Sequence, residues 1–224
     1  METAIRALAP ATPISPRMML GRHHLYLYAS SPHSRCEMRD LEGSQVDAAK
    51  VVARFAGGRI EAERDDRSGK LLSKGYGSKD PEGHLITYSY PEALYLVEKG
   101  RMRVLADDGS ELDFNRLLEA LKQLDENIWR DYVVYRDLRE RRYVVRDGVN
   151  QELRFRVFER GKYGKEPARY LVAPVMEGRN VPVEMLLGWL SACRKMRKEL
   201  VIAVVDRRNE VIYYKAALVD LRNV

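Results

Sequence analysis

The chain has 224 residues, 45% of them hydrophobic and 32% charged, with 39 Lys or Arg against 33 Asp or Glu. That length suits one large domain or two small ones with a real core, and a formal charge of +6 with a pI of about 9.3 permits a polyanionic partner without singling out nucleic acid. The two cysteines, Cys36 and Cys193, stand far apart with no Cys/His cluster, which argues against a structural zinc site and leaves their pairing undecided. No apolar run reaches signal-peptide or membrane-span length, so the expectation is a cytoplasmic protein with no membrane partner. The high charged fraction fits either heat-adapted surface ion pairs or a merely well-solvated surface.

In chain order, residues 1–21 contain Pro10, Pro13 and Pro16 and read as a flexible arm. Residues 23–29 alternate as a half-exposed strand, on which the neighbours His23 and His24 point to opposite faces and are poor joint metal ligands. Residues 30–40, which include His33, form a loop. Residues 47–56 predict a short helix stopped by Gly57-Gly58, followed by a strand over 59–62 and a turn over 65–69. Gly75-Tyr76-Gly77-Ser78-Lys79 lacks the glycine spacing and strand–loop–helix setting of a phosphate loop and reads as a plain loop. Residues 84–87 are strand-like. Residues 90–100 are a helix with Pro91 near its start and Gly100 just past its end. A turn at Asp107-Asp108-Gly109 follows, then a helix capped by Asp113 with Phe114, Leu117, Leu118, Leu121 and Leu124 on one face. A boundary between Gln123 and Trp129 divides the chain into an arm (1–21), an N-terminal domain (22–125) and a C-terminal domain (126–224), two small mixed α/β domains in tandem.

The C-terminal domain opens with a helix over 131–142. Arg130, Arg136, Arg139, Arg141 and Arg142 surround a narrow apolar stripe of Ile128, Tyr132, Tyr135 and Leu138. These arginines belong either to a surface helix, paired with Asp131, Asp137 and Glu140, or to a phosphate-tracking surface. Strands over 143–146 and 153–158 flank the turn signal Asp147-Gly148, with a connection of two residues or more. A basic, glycine-bearing loop (159–167) and a strand (170–172) come next. The helix over 183–198 buries Met185, Leu186, Trp189, Leu190, Cys193 and Met196. Its last turns hold Arg194, Lys195, Arg197 and Lys198, where the helix dipole favours cations. Strands over 200–206 and 211–218 close the set, the last placed to pair with another subunit.

Several phrases in this order resemble the C-terminal nuclease domain of archaeal tRNA-splicing endonucleases: Tyr135-Arg136-Asp137-Leu138-Arg139, Phe155-Arg156-Val157, Ala168-Arg169-Tyr170-Leu171-Val172, and Arg197-Lys198 running into Ala203-Val204-Val205-Asp206. Glu92-Ala93-Leu94-Tyr95-Leu96 with Lys99-Gly100 is similar to the N-terminal domain of the same family. The resemblance implies a restriction-endonuclease-like C-terminal domain with a central mixed sheet. It also implies RNA cleavage without metal or cofactor, by a tyrosine base, a histidine acid and a charge-stabilising lysine, leaving 2′,3′-cyclic phosphate and 5′-hydroxyl ends.

On this sequence the tyrosine position falls on Phe158, the histidine position on Pro167 and the lysine position on Lys198. Phenylalanine has no ionisable hydroxyl and proline no side-chain proton to move. Positioned acid and base groups are each worth roughly 10²–10⁴ in rate, so no catalytic residues are expected in this chain by itself. Within the family this implies the non-catalytic, structural subunit of the heterotetrameric type. Such a subunit joins a catalytic homologue, two plus two, on precursor tRNA at bulge-helix-bulge junctions. The subunit contact then falls on the loop with Asp206, Arg207, Arg208 and Glu210 and on the strand with Val211 and Tyr213. Arg207 and Arg208 depart from the family's acidic loop, and a plain β-turn is the competing reading. RNA contacts are expected at Arg136, Arg139, Arg194 and Lys198. Two alternatives stay open: an active ribonuclease in which Tyr163 and Glu166 act with Lys198, and a stand-alone nucleic-acid-binding module.

Overall fold

The computed structural model describes residues 50–218. The expectations for the arm, for the strand over 23–29 and for His23, His24, His33 and Cys36 lie outside the described residues. The mixed α/β architecture is present as two sheets. The first comprises β1 (Val51–Ala56), β2 (Arg59–Glu63), β3 (Ser78–Lys79), β4 (Leu85–Tyr88), β5 (Met102–Leu105) and β6 (Glu111–Leu112), in the order β3-β4-β2-β1-β5-β6. Helices α1 (Asp66–Ser73), α2 (Tyr90–Glu98) and α3 (Phe114–Lys122) accompany it, and α4 (Ile128–Glu140) follows. The second sheet comprises β7 (Val144–Asp147), β8 (Phe155–Phe158), β9 (Tyr170–Met176), β10 (Glu199–Val205) and β11 (Val211–Ala216), in the order β11-β10-β9-β8-β7, with α5 (Val183–Lys195) between β9 and β10. The β9–β10 pair is parallel and the other neighbours in this sheet are antiparallel.

Three expectations are corrected here. Residues 51–56 are a strand, not a helix: Val51 and Ala53 are buried while Val52 and Arg54 are exposed, a period of two. Gly57 and Gly58, both at positive φ, make the hairpin turn into β2 instead of a helix stop. The expected turn at residues 65–69 is the start of α1. There Ser68 N–H donates to Asp65 Oδ1 (2.7 Å) and Asp65 N–H donates to Ser68 Oγ (2.8 Å), a complete capping box. Leu124 leaves the apolar face of α3 and is exposed, whereas Leu117, Leu118 and Leu121 are buried and Asp113 caps as expected, accepting from Arg116 N–H at 2.9 Å.

The main correction concerns α4. It is not a surface helix: Arg130, Asp131 and Arg139 are buried together with Ile128, Tyr132, Val133, Val134, Tyr135 and Leu138. One continuous core holds Ile60, Leu94 and Val104 from the first half, the apolar side of α4, and Phe155, Val157, Val172 and Ala203 from the second sheet. Charge is admitted into this core only with partners. Asp131 accepts from Arg130 Nε (2.8 Å) and from Arg154 Nε (2.9 Å), which fastens α4 to the approach of β8. A second, smaller core under α5 is built from Trp189, Cys193, Leu171, Ala173 and Leu200. Trp189 Nε1 donates to Glu152 at 2.7 Å there.

Candidate functional site

Sheet register assembles the site. Val157 faces Tyr170, and Tyr170 faces Glu199, across three adjacent strands. Arg169 N–H donates to Val157 O (3.1 Å) and Glu199 N–H to Arg169 O (2.9 Å), which ties the strand ends together. Phe158, the Pro167-Ala168 approach to β9, and Lys198 therefore converge at one end of the sheet. Lys198 Nζ donates to the main-chain oxygen of Ala168 at 2.6 Å. The Phe158 ring meets the Tyr163 ring edge-on, with centroids 4.9 Å apart and planes at 88°. Tyr163 also lies against Gly75, where an added Cβ would stand 3.2 Å from its ring and 2.4 Å from Val144. Glu166 is held by Lys162 at 2.5 Å on the exposed side of the loop.

The other carboxylates at this corner are engaged too. Arg169 binds both Glu159 and Glu199, and Glu199 also takes Lys215 at 2.8 Å. The Lys215 and Arg169 hydrogen bonds hold the Glu199 carboxyl below its ordinary range, so it carries no proton to give near neutral pH. Burial pushes the Tyr170 phenol up, away from the range of a useful base. Among the described residues no group of three or more His, Cys, Asp and Glu is arranged to hold a metal ion.

A second polar cluster, not singled out in the sequence, joins the two halves. Glu92 sits at the third residue of α2, 4% exposed. It accepts from Tyr135 Oη at 3.3 Å, and Tyr135 Oη in turn accepts from Arg139 Nε at 3.0 Å. Arg139 stacks 3.7 Å from the Tyr76 ring centroid and donates to Gly75 O at 2.9 Å. Arg146 donates to Gly77 O and to Ser78 Oγ. The glycine loop thus offers carbonyls to guanidinium groups, whereas a phosphate loop offers N–H groups to an anion. Burial pushes the Glu92 carboxyl up to about 7, with Arg146, the Gly77 amide and Arg139 pulling the other way.

Comparison with known proteins gives this arrangement a family. The family model for the tRNA intron endonuclease catalytic C-terminal domain matches residues 128–213, and that for the N-terminal domain of the same endonuclease matches residues 51–118. A tRNA-splicing endonuclease of Thermococcus onnurineus is 34% identical over 165 residues, covering 74% of this chain and 94% of the relative. The chain belongs to the tRNA intron endonuclease family. Proteins of the same printed name from Methanococcus vannielii (32% identical, 76% of this chain and 96% of the relative) and Saccharolobus islandicus (32% identical, 73% and 95%) agree.

In this endonuclease chain the expected contact loop is a turn held from within. The Asp206 carboxylate accepts from the N–H groups of Arg208 and Glu210, each at 2.8 Å, and these bonds hold its carboxyl below the ordinary range. Asn209, at φ 63°, accepts from Trp129 Nε1 at 2.9 Å, which pins the turn to α4. Arg208 pairs with Asp206 and Glu210, and Arg207 is exposed. The side chains of Val211 and Tyr213 point into their own domain: Val211 packs on the core and Tyr213 Oη donates to Asp137 at 2.7 Å. The exposed side chains of β11 are Ile212, Tyr214 and Lys215. Its outer edge has no strand partner among the described residues.

The four basic residues expected at RNA lie in different settings. Arg136 approaches Glu98 (3.7 Å) and the Tyr132 ring. Arg139 is buried and committed to the glycine loop, so its guanidinium does not face solvent. Arg194 is exposed on the last turn of α5, and Lys198 is half-buried on Ala168 O. Among the described residues no helix is long and apolar enough to cross a membrane.

Proposed function

We propose that this chain is the non-catalytic, structural subunit of a tRNA-splicing endonuclease, assembling two plus two with a catalytic homologue on intron-bearing precursor tRNA. The relatives named tRNA-splicing endonuclease support the substrate class. One observation carries the subunit role. At the strand ends where the family keeps its base and acid, this chain has Phe158 and Pro167, and the Lys198 amine is turned onto a main-chain oxygen. The neighbours offer no replacement: Tyr163 is packed between Phe158 and Gly75, and Glu166 is paired with Lys162. A base and an acid must lie within hydrogen-bond reach of the protons they move. The free edge of β11, with Ile212 and Tyr214 exposed beside its unpaired N–H and C=O groups, is the surface offered to the catalytic partner.

The test is a mixing experiment with the full chain on intron-bearing precursor tRNA. The chain alone leaves the RNA intact, and with a catalytic relative the mixture cuts it, leaving 2′,3′-cyclic phosphate ends. Lys198→Ala in this chain leaves the cutting rate of the assembled enzyme nearly unchanged, whereas removal of residues 211–224 abolishes assembly. Cleavage by the chain alone would instead establish an active nuclease. Failure to associate with any catalytic relative would instead favour a stand-alone nucleic-acid-binding module.

A further inference from the structure

Helices α1, α2, α4 and α5 all stop in the same way. Past each helix the chain reverses through one left-handed residue whose N–H bonds to the carbonyl three residues back, while the next N–H bonds five back. The bonds are Gly75 to Leu72 and Tyr76 to Leu71, Gly100 to Val97 and Arg101 to Leu96, Arg142 to Arg139 and Tyr143 to Leu138, and Arg197 to Arg194 and Lys198 to Cys193. This left-handed position suits glycine, which has no Cβ to clash with the following carbonyl. After α1 and α2 it is indeed glycine, at φ 78° and 63°. After α4 and α5 it is arginine, at φ 67° and 53°, in a conformation that the Cβ disfavours.

Both arginine side chains are exposed, and neither makes an ion pair among the described residues. That is unlike Arg130, Arg141, Arg154, Arg169 and Arg208, each of which is in an ion pair. The topology brings the two to the same end of the sheet, with β8 and β9 between their strands. Arg142 leads through Tyr143 into β7 and Arg197 leads through Lys198 into β10, at the sheet end that holds Phe158. From the loop between β8 and β9, Arg160 and Lys165 add two more exposed cations without a carboxylate partner among the described residues. The Arg160 guanidinium lies 4.8 Å from the ring centroid of half-buried Tyr143.

We infer that this end of the sheet, stripped of its acid and base, is a docking site for unpaired nucleotides of RNA. Phosphates lie against Arg142 and Arg197, and a base extends the Tyr143–Arg160 stack. A guanidinium matches a phosphate in both charge and geometry, and aromatic and guanidinium planes accept any base. Backbone strain kept where glycine would relieve it is expected where the side chain has work to do. The inference deepens the subunit reading above and rests on it for the identity of the RNA.

The experiment replaces the strained arginines by the residue that their backbone prefers. Arg142→Gly, Arg197→Gly and the double variant of the full chain are titrated against a labelled single-stranded oligoribonucleotide and a duplex RNA of the same length, over a range of salt. Thermal stability and association with a catalytic relative are measured on the same samples. The double variant is expected to lose about tenfold in single-strand affinity at low salt. Its dependence of log K on log salt should be shallower by about 1.4, for two phosphate contacts, while Tm holds or rises. Unchanged affinity and slope would overturn the inference, as would affinity lost together with Tm, which would mean that the arginines act through the fold. An equal loss on the duplex would overturn the assignment to unpaired nucleotides. Binding that behaves as expected in a chain that never associates with a catalytic relative would sink the subunit reading and leave this site standing.

Discussion

Glu92 offers the sharpest quantitative test of the packing between the two halves. Its carboxyl is buried among Tyr135, Arg139 and the glycine loop, and burial raises it from an ordinary 4.5 to about 7. A carboxyl raised on folding binds its proton more tightly in the native state. Its contribution is fully present below the unfolded value and is lost as pH rises through the folded one. Between about pH 5 and about pH 8 the loss amounts to roughly 2–3 kcal/mol, since most of the gap between the unfolded and folded values falls inside the window. Glu92→Gln keeps the shape of the neutral acid and cannot ionise. Urea unfolding of both proteins at the two pH values gives a double difference in which every other titrating group cancels. The variant's excess over the wild type should grow by roughly 2–3 kcal/mol from the lower pH to the higher. A difference that does not change with pH would refute the reasoning. It would mean that Arg139 and Arg146 keep Glu92 charged throughout.

Three further outcomes test the fold. Asp131→Asn leaves Arg130 and Arg154 without their shared carboxylate in a buried setting and should destabilise the chain by about 3–5 kcal/mol in denaturant unfolding. Arg141→Ala, which removes a half-exposed partner of Asp137 that also lies over the Tyr213 ring, should change stability by less than about 1 kcal/mol in the same assay. Gly77→Ala sets a Cβ 2.3 Å from the Ile86 side chain at φ 67°, so its thermal midpoint should fall by an amount equivalent to about 2–4 kcal/mol.

Where local chemistry settled local structure, the sequence was readable. Pro91 at the start of α2, Gly100 after it and the Asp113 cap of α3 mark helix ends by mechanisms that need no distant partner. The strand at residues 51–56 was missed because Gly57-Gly58 serves a helix stop and a hairpin equally well, although the alternation from Val51 to Arg54 was the better signal. On α4 the apolar stripe of Ile128, Tyr132, Tyr135 and Leu138 was legible and is buried, but the burial of its charged residues was not. Arg139 and Asp131 look like solvent-facing charges until their partners are known, and these come from Gly75 and Arg154, 64 and 23 residues away. At the candidate site, the positions Phe158, Pro167 and Lys198 came from family resemblance, and their convergence required the register of β8, β9 and β10. Glu92 carried one hint, a Ser-x-x-Glu spacing with Ser89 that reads as helix capping and says nothing of the arginines behind it.

The placement of α4 bears on how such a protein can change over generations. A helix packed against α2 and α3 of the first half and against strands of the second sheet cannot be passed between relatives with either stretch alone. A chimera joined just before Ile128 would inherit a spine cut for someone else's ribs: Tyr135, Arg139 and Glu92 would meet strangers at once. Drift in one half must therefore wait for matching drift in the other.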